Sequence, residues 1–323
     1  MRSCSIRGVI RHHLAWLVLI LCSWRVAAAQ DQQAPKTDPV EAAALNTILG
    51  RWGKKASPEW NISGELCSGF AADKTDWDNY RDINPFIKCD CTFNNNTLCH
   101  ITRLRVTYLD VVGQIPAELQ NLTHLVDLNL FRNYLTGPIP SFIGKFTSMQ
   151  YLSLSFNPLS GLLPKELGNL TNLLSLGISS DNFTGSLPEE LGNLTKLQQL
   201  YFDSSGFSGP FPSSFSKLQN LKFLSASDNV FKGKIPAYLG TMTNLEDIAF
   251  HGNSFEGPVP ESLSNLTKLT RLWIGDIING VSPLAFISNM ASLSTLYVML
   301  LAIKLTVLSS CKLPRLYFLV TEY

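Results

Sequence analysis

The stretch MQYLSLSFNPLSGLLPKELGNLTN, from Met149 to Asn172, is one copy of a unit that recurs throughout this chain. The same glycine and proline return every 24 residues, as from Gly113 to Gly137. A period of this length is typical of a solenoid, in which each repeat buries its apolar side chains against its neighbours. The repeated positions are Gly113, Gly137, Gly161, Gly185, Gly209, Gly233 and Gly257, with Pro116, Pro140, Pro164, Pro188, Pro212, Pro236 and Pro260.

Each part of the repeat predicts a local structure. The Leu-x-Leu alternation favours a short strand with one buried face, so Leu152 and Leu154 should point inward. Tyr151, Ser153 and Ser155 should then point outward. The asparagine that follows is suited to hydrogen-bonding the backbone where the chain turns. It is present at Asn133, Asn157, Asn229 and Asn253.

The unit resembles the plant-type leucine-rich repeat, and Leu-Thr-Gly-Pro-Ile-Pro at 135–140 is a close match. About eight copies cover residues 101–292. The resemblance implies an α/β solenoid, a curved right-handed superhelix. Its parallel sheet would line the concave side, its convex side would be irregular or 3-10 helical, and a disulfide-bonded cap would precede it. Four copies depart from the asparagine, with Leu109, Asp181, Ser205 and Ile277 at its position.

Residues 1–29 have the composition of a cleaved signal peptide. Three arginines precede a short apolar run at 14–24, and small residues follow up to Ala29, where we expect cleavage. The run is too short for a membrane span, which needs about 20 residues. We therefore expect export through the secretory pathway to the extracellular, apoplastic side, or to the plasma-membrane exterior in a full-length parent.

Residues 30–100 differ from the repeats and predict an N-terminal cap. Asp38 is a suitable helix N-cap, Pro39 suits the first turn, and Glu41 would complete a capping box. The helix should end at Gly50. Its buried face should consist of Val40, Ala44, Leu45 and Ile48, and we expect the aromatic residues Trp52, Trp60, Phe70, Trp77 and Phe86 to pack within the cap.

Four cysteines in the cap indicate two disulfides, as expected for an exported chain: Cys67, Cys89, Cys91 and Cys99. A bond within Cys89-x-Cys91 would be strained. Two pairings remain open, 67–89 with 91–99, which we favour, or 67–91 with 89–99. A metal site is the alternative, but the segment lacks Cys-x-x-Cys and offers only His100 nearby, so we expect neither metal nor cofactor. The segment resembles the cysteine-containing cap of plant leucine-rich-repeat ectodomains.

The repeat pattern fails in residues 293–323. Leu296 and Val298 predict one further strand, but the sequence beyond lacks the Asn, Gly and Ile-Pro in phase. We expect a divergent tail with an incomplete repeat and an unpaired Cys311, as in a truncated gene product, because a solenoid normally ends in a polar cap.

Seven Asn-x-Ser/Thr sequons predict glycosylation of an exported chain. Four of them share one position in the repeat, on the side away from the strand. Glycans there would leave the strand face bare. The sequons are at Asn61, Asn95, Asn121, Asn169, Asn182, Asn193 and Asn265.

The exposed strand positions form the candidate binding face, because solvent-facing aromatic residues beside charges are typical of interface hot spots. They include Arg103, Arg105, Asp127, Asn129, Phe156, Gln199 and Asp247. The nine candidate ligand contacts are Phe131, Arg132, Tyr151, Tyr201, Asp203, Phe223, His251, Arg271 and Trp273.

The sequence does not favour an enzyme or a nucleic-acid-binding protein. It contains no phosphate-binding glycine loop, His-Arg-Asp, Asp-Phe-Gly or Gly-x-Ser-x-Gly motif. The 26 basic and 25 acidic residues nearly balance, which disfavours binding to nucleic acid.

Three segments, 61–67 (Asn-Ile-Ser-Gly-Glu-Leu-Cys), 87–91 (Ile-Lys-Cys-Asp-Cys) and 284–290 (Leu-Ala-Phe-Ile-Ser-Asn-Met), resemble plant receptor-like kinases with a malectin-like domain after the repeats. The resemblance implies the ligand-recognition part of a receptor-like serine/threonine kinase, without the malectin-like, transmembrane and kinase regions. Its partners would be an extracellular peptide, glycan or protein and a co-receptor. The alternative is a stand-alone secreted repeat protein, such as an inhibitor of wall-degrading enzymes.

Overall fold

The Leu-x-Leu alternation forms a short strand in each repeat, and these strands join those of the cap in one sheet. The computed structural model describes residues 34–275, 277, 287, 289–300 and 315–320. Within these residues the sheet has 12 strands. They are β1 (Lys36–Thr37), β2 (Phe86–Phe93), β3 (Leu98–Arg105), β4 (Asp127–Asn129), β5 (Tyr151–Ser153), β6 (Ser175–Gly177), β7 (Gln199–Tyr201), β8 (Phe223–Ser225), β9 (Asp247–Ala249), β10 (Arg271–Gly275), β11 (Thr295–Leu300) and β12 (Arg315–Val320).

The pairing from β3 to β12 is parallel and in chain order, so the 24-residue period is also the register of the sheet. Each inward leucine lies beside its counterpart one repeat away, as Leu152 does beside Leu128 and Leu176. The inward orientation predicted for Leu152 is confirmed, and the same position is buried in the neighbouring repeats, with exposures of 0–1% at Leu128, Leu152, Leu176, Leu200 and Leu224.

The far side of each repeat is built from 3-10 turns and very short strands. Each 3-10 turn follows the repeat proline, which serves as its N-cap residue. The turns are Ala117–Asn121, Ser141–Lys145, Lys165–Asn169, Glu189–Asn193, Ser213–Lys217, Ala237–Thr241 and Glu261–Asn265. Short strands flank the sheet at Val112–Gly113, Tyr134–Leu135, Ser160–Gly161, Asn182–Phe183, Ser208–Gly209, Val230–Gly233 and Ser254–Phe255.

The repeat asparagines hydrogen-bond the backbone inside the solenoid, as the sequence predicts. The Nδ2 group of Asn133 donates to the carbonyls of Val106 and Leu130, at 2.8 and 3.0 Å. Its Oδ1 accepts from the amides of Leu109 and Val111, at 3.1 and 3.3 Å. One buried side chain thus ties its own repeat to the preceding one, and bonds of the same kind are made by Asn157, Asn229 and Asn253.

The two polar substitutes at this position differ in how well they replace asparagine. The hydroxyl of Ser205 donates to the carbonyl of Ile178, at 2.7 Å, and so keeps one donor. Asp181 accepts from the Asn157 amide through Oδ1, but its buried Oδ2 lacks a hydrogen-bond partner. Burial raises the pKa of Asp181 to about 8, because a charged carboxylate would stay poorly solvated there.

The cap begins with the predicted helix, α1 (Pro39–Arg51), whose amides at Val40 and Glu41 are capped by Asp38. Three details of the prediction are wrong. Val40 is 58% exposed, and Glu41 takes its place on the buried face together with Ala44, Leu45 and Ile48. The capping box is not observed, because the Asp38 amide donates to Cys99 while the Glu41 carboxylate contacts His100 and Ile101. The helix also continues one residue past Gly50.

Two disulfides join the cap, Cys67–Cys89 and Cys91–Cys99, which is the favoured pairing of the two left open. β1 pairs with β3 in parallel and β2 pairs with it antiparallel, so the cap extends the sheet of the repeats. Of the aromatic residues expected to pack there, Trp52, Trp60, Trp77 and Phe86 are buried, whereas Phe70 is 39% exposed and stacks on Tyr80.

The sheet continues past the last regular repeat. β11 contains Leu296 and Val298, as predicted, and β12 pairs with it in parallel, which the broken pattern gave no reason to expect. The segment predicted to be a signal peptide, Cys311 and most of the segment 284–290 lie outside the described residues. Among the described residues, none of the helices combines the length and apolar character needed to cross a bilayer.

We predict that Leu176→Ala lowers the free energy of unfolding by about 2–5 kcal/mol, since it opens a cavity in the leucine row. Leu162→Ala is the matched control, because Leu162 is 66% exposed. It should change the free energy by about 0.5 kcal/mol or less. Urea unfolding followed by circular dichroism measures both. Equal losses in the two variants would contradict the observed register.

We predict that Asp181→Asn stabilises the protein more at high pH than at low pH. In the wild type, the folded state holds a proton between the ordinary carboxyl pKa of 3.8 and about 8, a range in which the unfolded chain has lost it. The free energy of unfolding therefore falls as pH rises through this window and is level outside it. Asparagine supplies the missing donor at every pH. The gain should be about 1–3 kcal/mol near pH 8 and smaller near pH 5.

Urea unfolding at both pH values is the measurement. Asp228→Asn, which makes the same change at an exposed aspartate, is the matched control. A gain from Asp181→Asn that is equal at both pH values would rule out the protonated carboxyl.

Candidate functional site

Alternate side chains of the parallel strands cover the concave face and line two depressions. The first has a volume of about 800 Å³ and extends from the cap residues Asp76 to Asp78 across the strands to Asp203. The second, of about 420 Å³, extends from Tyr201 to Trp273. Tyr201 and Asp203 line both, so the two depressions form one continuous surface, which we call the concave strip.

Eight of the nine candidate contacts lie on this strip. Four line the first depression: Phe131, Tyr151, Tyr201 and Asp203. Six, of which two are shared with the first, line the second: Tyr201, Asp203, Phe223, His251, Arg271 and Trp273.

Arg132 lies elsewhere. It lines a lateral hollow of about 700 Å³, with its guanidinium 5.2 Å from the ring centre of Tyr108. Its backbone is left-handed (φ 54°), as it is at Phe156 and Ser180, which line both this hollow and the first depression. The interpretation of Arg132 as part of the concave strip is corrected accordingly.

The left-handed conformation recurs at the same position of seven successive repeats, the last of which has a glycine there, Gly252 (φ 67°), and sequence reasoning missed it. A positive φ is uncommon for residues with a Cβ and costs most for bulky side chains. These positions are 24 residues apart, so the repeat period would have been the signal for them. The six that carry a Cβ are Tyr108, Arg132, Phe156, Ser180, Ser204 and Asp228. Aromatic rings cluster around the first three of these positions. The ring centre of Phe131 lies 5.4 Å from that of Tyr108 and 5.0 Å from that of Phe156.

An ion pair and an aromatic stack form the far end of the strip. Arg271 Nη2 lies 2.6 Å from Asp247 Oδ2. Burial raises the pKa of Asp247, and the charge of Arg271 opposes that rise. Trp273 stacks on Tyr297 with ring centres 4.9 Å apart, and His251 packs against both. Sequence reasoning missed Tyr297, although it stands 24 residues after Trp273.

A row of side-chain oxygens extends the strand hydrogen bonds along the base of the strip. The hydroxyl of Ser155 accepts from the Ser179 amide, at 2.9 Å, and that of Ser179 accepts from the Asp203 amide, at 3.1 Å. Asp203 then accepts from the Ser227 amide, at 2.9 Å. Ser155 lines the first depression, as its predicted outward orientation requires, but is only 5% exposed, and Asp203 also supports the backbone.

Two further charged residues expected on the exposed face are buried. Arg105 is 8% exposed, its guanidinium donates to backbone carbonyls of the cap, including that of Ile83 at 3.1 Å, and burial lowers its pKa. Asp127 is 9% exposed, and burial raises its pKa to about 7 despite the nearby charge of Arg103. These two residues belong to the junction of the cap with the first repeat.

The sequon asparagines lie away from the concave strip. Asn121, Asn169, Asn193 and Asn265 each end a 3-10 turn, and all four are exposed. Asn182 is exposed beside the lateral hollow. Asn95 is exposed in the cap and Asn61 is half-buried there, and occupancy of all seven stays a prediction.

The fold and the repeat sequence define a leucine-rich-repeat solenoid. Residues 165–278 match the leucine-rich repeat region family, and residues 124–146 and 148–170 match the leucine-rich repeat family. A probable leucine-rich-repeat receptor-like serine/threonine-protein kinase of Arabidopsis thaliana is 49% identical over 112 residues. That match covers 35% of this chain and 11% of the relative, so the chain is homologous to a small part of such a receptor-like kinase.

Solved structures show the same architecture in plant receptors. The plant peptide hormone receptor RGFR1, in complex with RGF2, is 30% identical with a TM-score of 0.57, covering 63% of this chain and 33% of that one. The ectodomain of the membrane receptor kinase GASSHO1/SCHENGEN3 from Arabidopsis thaliana, in complex with CASPARIAN STRIP INTEGRITY FACTOR 2, is 26% identical. Its TM-score is 0.62, covering 80% of this chain and 33% of that one.

Proposed function

We propose that the concave strip binds an extracellular peptide and that this chain is the ligand-recognition part of a plant receptor-like serine/threonine kinase. The observation that carries the proposal is the continuity of the strip. Its two depressions share Tyr201 and Asp203, and both contain aromatic side chains beside charged ones. Such side chains supply anchors and orientation in known interfaces.

The dimensions of the strip favour a short extended peptide. Neighbouring strands lie about 4.8 Å apart, so the seven steps from β3 to β10 span roughly 34 Å. An extended chain rises about 3.3 Å per residue, which corresponds to roughly ten residues. Such a peptide would cross the strands, with its apolar residues against Tyr151, Tyr201 and Trp273. Asp203 and Arg271 would meet its charged groups.

The rigidity of the strip also supports binding. Each strand is hydrogen-bonded on both sides, and Arg271 is already paired with Asp247 before any ligand arrives. Side chains that are ordered in advance lose little entropy on binding, so more of the contact energy contributes to affinity.

The sequons support the concave strip over the lateral hollow. A glycan on Asn182 would stand in the lateral hollow beside Arg132, whereas the sequon asparagines of the 3-10 turns lie on the opposite side from the strands. Export and glycosylation would place the bare strip in the extracellular space, where a secreted peptide and a co-receptor are available to it.

Two of the solved relatives carry named ligands, one of them described as a peptide hormone receptor, and this supports the same class of ligand here. The resemblance of segments 61–67, 87–91 and 284–290 leads us to propose the group with a malectin-like domain after the repeats. Kinase activity would then reside in another part of that receptor, and this chain would contribute recognition alone.

We predict that Tyr201→Ala and Trp273→Ala each weaken peptide binding by at least about 30-fold, which corresponds to about 2 kcal/mol per lost anchor. The probes are peptides of about twelve residues, selected from a phage-displayed random library on the wild-type full chain. Their affinities are measured by isothermal titration calorimetry. Tyr134→Ala is the matched control, because Tyr134 is an exposed aromatic residue on a strand outside the concave sheet. Retained affinity in both concave variants together with loss in Tyr134→Ala would reject the concave strip.

A further inference from the structure

Three side chains with metal-binding atoms meet where the cap joins the first repeat. Glu41 comes from α1, His100 from β3, and His124 from the segment that follows the 3-10 turn Ala117–Asn121. None of the three lines either depression of the concave strip. Their potential ligand atoms all lie within 4.8 Å of one another.

We propose that Glu41, His100 and His124 form a structural binding site for a divalent transition metal ion, with zinc as the ion that fits best. Glu41 Oε1 lies 2.8 Å from Nδ1 of His100 and 3.1 Å from Nδ1 of His124. Zinc bonds of about 2.0–2.2 Å place two ligand atoms of a tetrahedral site about 3.4 Å apart. The carboxylate oxygen must therefore move away from His100 Nδ1 by about 0.6 Å and from His124 Nδ1 by about 0.3 Å to admit the ion.

The surroundings orient the carboxylate, whereas the two stacked imidazole rings must tilt apart before both nitrogens can point at one ion. The second carboxylate oxygen of Glu41 accepts from the Ile101 amide at 2.6 Å, which fixes the first oxygen toward the histidines. The imidazole rings of His100 and His124 are stacked, with centres 3.7 Å apart. Phe93 packs its ring edge-on against both, at 4.6 and 5.3 Å. Such supporting contacts are typical of the groups around metal ligands.

Burial separates this cluster from an ordinary surface ion pair. The Glu41 side chain is 3% exposed and that of His100 is 12% exposed, whereas that of His124 is 37% exposed. A buried carboxylate needs compensation by charge, which a divalent ion supplies fully. The open side at His124 gives the ion an entry path and leaves a position for a water ligand.

The ligand set decides which ions fit. Two imidazole nitrogens and one carboxylate oxygen suit zinc and its neighbours in the first transition series. Calcium and magnesium prefer oxygen ligands and should not compete. Because the ligands come from the cap and from the first repeat, the ion would fasten the cap to the array. Among the salt bridges of the described residues, one other joins α1 to the first repeat. It pairs Arg51 with Glu118, whose charged atoms are 2.6 Å apart.

The test is zinc titration of the full chain, prepared without a polyhistidine tag and stripped of metal with a chelator. We expect one site by isothermal titration calorimetry and a visible absorption band when cobalt(II) replaces zinc. Zinc at about 100 times its dissociation constant should raise Tm by about 5 °C. Calcium and magnesium should neither bind at this site nor raise Tm.

His124→Ala should weaken zinc binding at least about 100-fold and abolish the Tm shift, since it removes one ligand. Because the His124 side chain is partly exposed, this variant should fold normally. Glu41→Gln changes a buried side chain and serves as a second test. His251→Ala is the matched control, because it removes an imidazole at the far end of the solenoid, and it should keep the site. Zinc binding that survives His124→Ala, or the absence of a Tm shift in the wild type, would reduce the cluster to hydrogen-bonded packing and overturn the proposal.

Discussion

Each repeat depends on burying its strand leucine against the equivalent leucines of the two neighbouring repeats. The strand leucines stand in register at 24-residue intervals and are almost completely buried, although each strand contributes only three residues to the sheet in most repeats. A strand this short has no independent stability. The asparagines, buried inside the curve, hydrogen-bond the backbones of adjacent repeats and so fix the same spacing with polar contacts. Apolar packing and hydrogen bonding thus impose one period.

That shared period explains why so much of the fold was predictable. Glycines, prolines and leucines at fixed intervals determined the strands, the register and the buried row. The cap was harder, because its residues do not repeat. Glu41 looked like a capping-box residue from its spacing, but the approach of His100 and His124 through the tertiary fold draws its carboxylate inward. Such competition between local and distant partners is invisible in a sequence pattern.

The candidate site was predictable in outline and wrong in detail, for a related reason. Alternation identifies which side chains face the concave side, and eight of the nine selected residues lie there. It does not show that Arg132 lies over Tyr108 in the lateral hollow, nor the cap contacts that bury Arg105 and Asp127. It also gives no warning that Ser155, Ser179 and Asp203 use their oxygens on neighbouring amides. Some polar side chains of the candidate binding face thus hydrogen-bond the backbone of neighbouring strands and stabilise the sheet.

The direction of the strands has a mechanical consequence. Because the strands run across the solenoid, their backbone hydrogen bonds point along its length and are loaded one after another when the two ends are pulled apart. Tension would therefore peel the repeats off singly, at low force, rather than shear many bonds at once. The disulfides Cys67–Cys89 and Cys91–Cys99 both close within the cap, so they protect it from this unravelling without reinforcing any joint between repeats.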